Sequence, residues 1–212
     1  MRIAIEDAHV LLTGVMAKLG YEAGDIPAIV DHLIDSELRG LSYGGFARAV
    51  SITERIGRTG LSARPITVTH ETPVSARIDG ADHIGYIVGQ RATDMAIEKA
   101  SKMGLSAVGA NDTWYTGMLS YFAEQAAAHD LVTMIASNAS PWVAPHGAAE
   151  GRFGTNPMCF GFPSTGHPIV WDIGTSNIMH AEVLLARRQG VPLPEGRAFG
   201  PDGRPTTDAD AA

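Results

Sequence analysis

At Pro65 the apolar pattern of the chain changes period, and that switch restricts the folds open to it. Before Pro65, apolar residues recur at three- and four-residue spacings, the period of helices with one buried face. Ile5, Val10, Leu11, Val15 and Leu19 form a first stripe, closed by Gly20. Asp25 is placed to cap a second helix, with Pro27 in its first turn and Ile29, Val30, Leu33, Ile34 and Leu38 as its buried face. A third stripe runs through Phe46, Val50, Thr53 and Ile56 and ends at Gly57 or Gly60.

After Pro65, extended segments alternate with helical ones. "PITVTHETPVSARIDG" reads as two extended runs and a turn. "VGQRATDMAIEKASKMG" is an amphipathic helix stopped by Gly104, followed by "LSAVGAND", a short buried strand. Gly117 to His129 is a further helix. "LVTMIASN", "MCFGFP" and "PIVWDIG" supply three more strands. Alternation of this kind predicts an α/β fold, with N-terminal helices and a mixed sheet covered by helices. After Arg188 the chain turns polar and rich in Pro and Gly, the composition of a loop or linker.

Several function classes are disfavoured. A net charge of -7 without a basic cluster argues against nucleic acid. No Gly-x-Gly-x-x-Gly follows a candidate strand, so an ordinary Rossmann unit has no support. The eight histidines show no metal-binding spacing with acids or with Cys159, so no metal is expected. Cys159 is the only cysteine; within "PMCFGF" it reads as a buried inert thiol, with a nucleophile as the alternative. Acids interrupt the apolar pattern of "MRIAIEDAHVLL", which is therefore no signal peptide, and no apolar run is long enough to span a bilayer. A cytoplasmic protein without a membrane partner is expected.

Four segments carry chemistry: "SELRGLSYGGFAR", "GLSAVGANDTWYTG", "SNASPWVAPHGAAEGRFGTNPMCFGFP" and "PIVWDIGTSN". In this order they resemble the malate/L-lactate dehydrogenase family, which includes ureidoglycolate and sulfolactate dehydrogenases and cyclic-imine reductases. "GTNP" and "DIGTS" are the most specific pieces. The resemblance implies a non-Rossmann nicotinamide-binding fold and a homodimer with its site near the subunit interface. It also implies hydride exchange between NAD or NADP and a small 2-hydroxy or 2-amino acid, giving the 2-oxo or cyclic 2-imino acid. Family members extend beyond this endpoint, into a segment with a glycine-rich loop that helps form the cofactor site. On that basis residues 1–64 are a helical segment with a substrate-binding corner, 65–186 a cofactor-binding domain, and 187–212 a tail leading onward.

The resemblance assigns roles residue by residue. Arg48 matches the arginine that clamps the substrate carboxylate, a task suited to the guanidinium fork; the alternative is a solvated helix arginine. Arg39 also matches, and at a helix C-terminus it equally complements the dipole. The family's proton-transfer histidine falls on Gly44, with Tyr43 beside it as either a phenolic donor or a packing aromatic. Trp114 stands where the family has its other histidine, either as a pocket wall or as core. His146 stands where the family often has an aromatic, either restoring an imidazole or lying on a loop. Asp172, after the apolar "PIVW", is an active-site acid in the family. Thr155, Asn156 and Pro157 match the cofactor loop, joined by Asn138, Gly174, Thr175 and Ser176; ordinary turn chemistry is the other reading of these.

Loss of both histidines favours reduction of a protonated 2-imino acid, which needs no acid to quench an alkoxide. A second reading is a catalytically weak paralogue or fragment that binds cofactor or a partner without turnover.

Overall fold

The structure, a computed structural model, describes residues 2–212. The three expected N-terminal helices are α1 (Ile5–Lys18), α2 (Ile26–Leu38) and α3 (Phe46–Thr59). The face buried by α1 differs from the expected one. Ala8, Leu12 and Met16 point inward at a strict four-residue spacing, while Ile5 and Leu11 are exposed and Val10 is 74% exposed. Four residues advance a helix by slightly more than one turn, so this row stays on one face, with Val15 and Leu19 at its flank. Helix α2 buries Ile29, Val30, Leu33 and Ile34 as its pattern implies, but Leu38 is exposed at its end. Asp25 sits at the N-cap without capping; its carboxylate accepts instead from Arg91, at 3.1 Å. In α3, Ala49 and Ile52 are buried and Val50 is not.

Strands β1 (Thr67–Glu71) and β2 (Ser75–Ile84) form an antiparallel hairpin. Thr72 and Ser75 hold its turn, with hydroxyls 2.7 Å apart. Helix α4 (Gly85–Met103) carries the chain back to β3 (Ala107–Trp114), which pairs parallel with β2. This is the expected mixed sheet, in the order β1-β2-β3. Gly104 stops α4 in a left-handed turn, its N–H bonded to Ala100 O. The expected burial of β3 is not seen: the strand is largely exposed, because it is the sheet edge and β2 holds the centre.

Helix α5 (Leu119–Ala127) precedes a second sheet of β4 (Thr133–Ala136), β5 (Met158–Phe162) and β6 (Ile169–Ile173), in that order. Cys159 is fully buried on β5. Helix α6 (His180–Gln189) and a hairpin of β7 (Ala198–Phe199) and β8 (Pro205–Thr206) follow. The Pro/Gly-rich segment after Arg188 thus has structure of its own. Leu193, Ala198 and Ala209 are buried with Val183 and Ala186, and Arg187 donates to Ala209 O at 2.8 Å. Sparse but regularly placed apolar residues suffice to pin it. No helix among the described residues is long and apolar enough to cross a membrane.

The chain divides into two compact units. The first comprises residues 1–133 and 161–170, the second 134–160 and 171–212. The first unit's core joins Leu12, Met16, Ile29, Leu33 and Ile52 of the helices to Ile84, Tyr86 and Ile87 at the β2–α4 junction.

Candidate active site

In the first unit, the turn between α2 and α3 closes through its two adjacent glycines. A Cβ at Gly45 would run into the Glu37 side chain, whose Oε1 accepts the Phe46 N–H at 2.9 Å. That carboxylate from α2 thereby caps the start of α3, where acids are favoured. A Cβ at Gly44 would stand 3.2 Å from both Ser36 Cβ and Leu41 O. Ser36 is itself buried, with its hydroxyl bonded to His32 O. The corner is therefore packed around a missing side chain. Tyr43 lies half-buried on the same turn.

The two arginines of this corner have different fates. Arg39, at the end of α2, donates to both oxygens of Glu124 at 2.6 and 2.7 Å, and to Asp35 at 2.9 Å. Those bonds raise its pKa further, and its guanidinium is committed to the fold. Arg48, on the first turn of α3, lies over the ring of Tyr115, with Cζ 4.2 Å from the centroid. No carboxylate among the described residues is ion-paired with it. The guanidinium is half-buried and rests on an aromatic face.

Three further residues fix this arrangement, and the sequence motifs missed them. Tyr86 is buried at the start of α4. Burial pushes its pKa up to about 12, a rise that the positive charge of Arg48 opposes. His32 is fully buried on α2, its ring edge-on to Tyr86 at 4.6 Å. Its Nε2 accepts the Met118 N–H at 2.9 Å, which places the ring proton on Nδ1. Burial, and then the charge of Arg39, lower the His32 pKa to about 3. Gly117 lies between Tyr115 and Met118 at φ +78°, and a Cβ there would overlap both His32 and Tyr86. A histidine inside the apolar stripe of α2 was the available signal for this pin; only the tertiary contacts give it meaning.

Trp114 is already engaged. Its indole N–H donates to Asp82 O at 2.9 Å, and Arg55 covers its ring at 4.5 Å. Arg55 also pairs with Asp82 at 2.7 Å, and Trp114 meets Tyr115 edge-on. Trp114 therefore braces Tyr115.

The second unit holds the other candidate residues. Thr155 is buried, and its carbonyl accepts both the N–H and the hydroxyl of Thr175, at 2.7 and 2.9 Å. "GTNP" and "DIGTS" are thereby tied to each other, and the Thr175 hydroxyl is spent on the tie. Pro157 O accepts the Ser137 N–H, next to exposed Asn138, and Asn156 sits at φ +37°. Gly154 packs against the Ala139 backbone, and Val143 bridges Phe153, closing the base of a loop with exposed His146 near its tip. Gly174 leaves room for Met179 Sδ, and the Ser176 hydroxyl bonds Ile178 O at 2.7 Å. Asp172 is half-buried on β6.

These elements define a non-Rossmann α/β chain with an arginine corner in one unit and glycine-permitted polar loops in the other. The pattern of the malate/L-lactate dehydrogenase family matches residues 3–212. The L-sulfolactate dehydrogenase of Methanothermobacter thermautotrophicus is 30% identical over 100% of this chain and 62% of its own length. The ureidoglycolate dehydrogenase (NAD(+)) of Escherichia coli O157:H7 is 30% identical over 98% of this chain and 60% of its own length. Among solved structures, the delta1-piperideine-2-carboxylate reductase of Pseudomonas syringae pvar. tomato superposes with a TM-score of 0.86. That protein is 26% identical, with 100% of this chain and 64% of its chain covered. The chain belongs to the malate/L-lactate dehydrogenase family, and it spans about three-fifths of the length of these relatives.

Proposed function

We propose that the chain belongs to an NAD(P)-dependent oxidoreductase, working as a homodimer, that reduces small 2-oxo or cyclic 2-imino acids, with the imino acids preferred. The observation that carries this reading is Arg48: a guanidinium held on an aromatic face, without a carboxylate of its own, beside an Arg39 that is fully paired. Such a group suits a substrate carboxylate, which it binds through two parallel hydrogen bonds.

The second unit suits a nucleotide. Asn138, Asn156 and the loop bearing His146 offer polar groups, and the Thr155–Thr175 tie holds their backbones in place. These residues, with Pro157, Gly174 and Ser176, would hold the cofactor; NAD and NADP both remain open. When bound, the nicotinamide supplies or accepts the hydride.

The chain's own groups account for the preferred substrate. Arg48 orients the acid by its carboxylate. Hydride adds to C2 of a protonated cyclic imine, the C=N electron pair moves onto nitrogen, and an amine results. No proton has to arrive with the hydride. A 2-oxo acid instead needs a donor for its alkoxide, and Gly44 and Trp114 cannot supply one. Tyr43, His146 and Asp172 are the groups left for that task. The piperideine-carboxylate reductase among the structural neighbours supports the imino-acid preference.

Steady-state assays of the intact natural protein test the reading. Cyclic imino acids should turn over faster than the matching 2-oxo acids. Arg48→Lys should raise KM for the acid roughly 10- to 100-fold, the worth of a charged bidentate bond. Cofactor binding without turnover of either class would favour the non-catalytic reading.

A further inference from the structure

We propose that Tyr115 is the positioning residue for Arg48: its ring is a shelf that holds the guanidinium open toward an incoming carboxylate, and His32 pins the loop that carries it. The inference rests on the carboxylate-clamp reading of Arg48.

Tyr115 is held in an unusual backbone state. Its φ is +54°, a left-handed conformation uncommon for a residue with a bulky side chain. Ala81, Asp82 and Asp112 are also left-handed, and all four lie where β2 bulges beside the end of β3. Strain of this kind persists only where the surroundings over-determine it, and it gathers at functional corners. Here the surroundings are visible. Trp114 braces the ring edge-on at 5.2 Å and is itself fixed by Asp82 O and Arg55. On the other side, the Met118 N–H is anchored to His32 Nε2, through a Gly117 that only a glycine can replace. His32 is wedged between Tyr86 and Tyr121, with ring centroids 4.6 and 4.4 Å away. It accepts from Met118 only while neutral, and its burial keeps it so.

The consequence for Arg48 is geometric. Its side chain has several rotatable bonds, and a carboxylate fork is matched by one orientation of the guanidinium. Resting one face on Tyr115 holds the guanidinium without an ion pair across its N–H edge, and the half-buried ring adds a cation–π attraction. An ion pair would hold the guanidinium as firmly but would occupy that edge, as Glu124 does for Arg39.

The test is direct binding of oxalate, a small dicarboxylate, to the intact natural protein by titration calorimetry, with KM and kcat for the acid substrate alongside. Tyr115→Asn removes the ring while tolerating left-handed backbone. It should weaken oxalate binding and raise KM about tenfold, the size of one partly desolvated cation–π contact. Tyr115→Phe keeps the ring face and should recover that affinity. Tyr115→Gly, which also suits left-handed backbone, replaces the Asn variant if that chain fails to fold. Oxalate binding by a folded ring-less variant that matches the parent overturns the inference, as does a Phe variant as weak as the Asn one. Arg48→Lys separates the two levels. If it weakens oxalate binding while Tyr115→Asn does not, only the shelf is wrong; if Arg48→Lys also binds as the parent does, the clamp reading falls with it.

Discussion

Acid should weaken this fold through His32 in a measurable way. The side chain is fully buried, ringed by Tyr86, Tyr121 and Phe122, under the positive charge of Arg39. Its Nε2 faces the Met118 N–H, so a second ring proton would set donor against donor. Burial first and Arg39 second hold its pKa near 3 in the fold, against 6.5 for an exposed imidazole. The sign follows from linkage. Below 6.5 the unfolded chain takes up a proton that the folded chain refuses, so stability falls as pH falls. The contribution is fully present above the unfolded pKa and drains away until about pH 3. For one such group the loss between pH 7 and pH 5 is about 2 kcal/mol. Other titrating groups contribute too, so the quantity to measure is a difference. Denaturant unfolding of the parent and of His32→Gln, whose amide oxygen can still accept from Met118, should be compared at both pH values. The parent should lose about 2 kcal/mol more than the Gln variant. Equal losses would mean that the folded protein protonates His32 readily, and the pinned, neutral imidazole would be wrong.

Three further outcomes follow from the same corner. Gly44→His restores an imidazole where the family has one, but its Cβ meets Ser36 and Leu41; it should cost about 1 to 3 kcal/mol in a thermal or denaturant melt, and pairing it with Ser36→Gly should recover part of that loss. Arg39→Ala should lower stability by only about 1 kcal/mol, because its pairs are a third exposed and screened by water. The KM for the acid should stay unchanged in that variant, in contrast to Arg48. Gly117→Ala forces a Cβ into His32 and Tyr86 at a positive φ, and should cost roughly 3 kcal/mol, seen as a lowered Tm.

How far the sequence could be read depended on the range of the interaction concerned. Periodicity and helix stops are local, so five of the six helices and the mixed sheet were legible, down to Gly104 at the end of α4, whereas α6 was not. The buried face of α1 was not, because Ala8 is a weak hydrophobic signal beside Val10 and Leu11. Nor was the exposure of β3, since an apolar run does not say whether its strand lies at a sheet's edge. Motif matching gave the clamp to Arg48 and left Arg39 open between a second match and a dipole partner. What separates them is Glu124, which lies 85 positions away in the chain, and the Tyr115 ring. The Tyr115 shelf and its His32 pin depend on tertiary contact alone. Asp25 shows the same limit: its position promised a cap, and a distant arginine claimed the carboxylate.

The central claim is that Arg48 receives the carboxylate of an acid reduced by hydride. Its most direct test is the loss of NADH or NADPH absorbance in the intact natural protein, with a cyclic 2-imino acid and the same ring lacking its carboxylate. The account predicts turnover of the acid, little turnover of the decarboxylated ring, and a collapse of that discrimination in Arg48→Lys. Equal kcat/KM for the two compounds in the parent, or discrimination undiminished in the Lys variant, would contradict it.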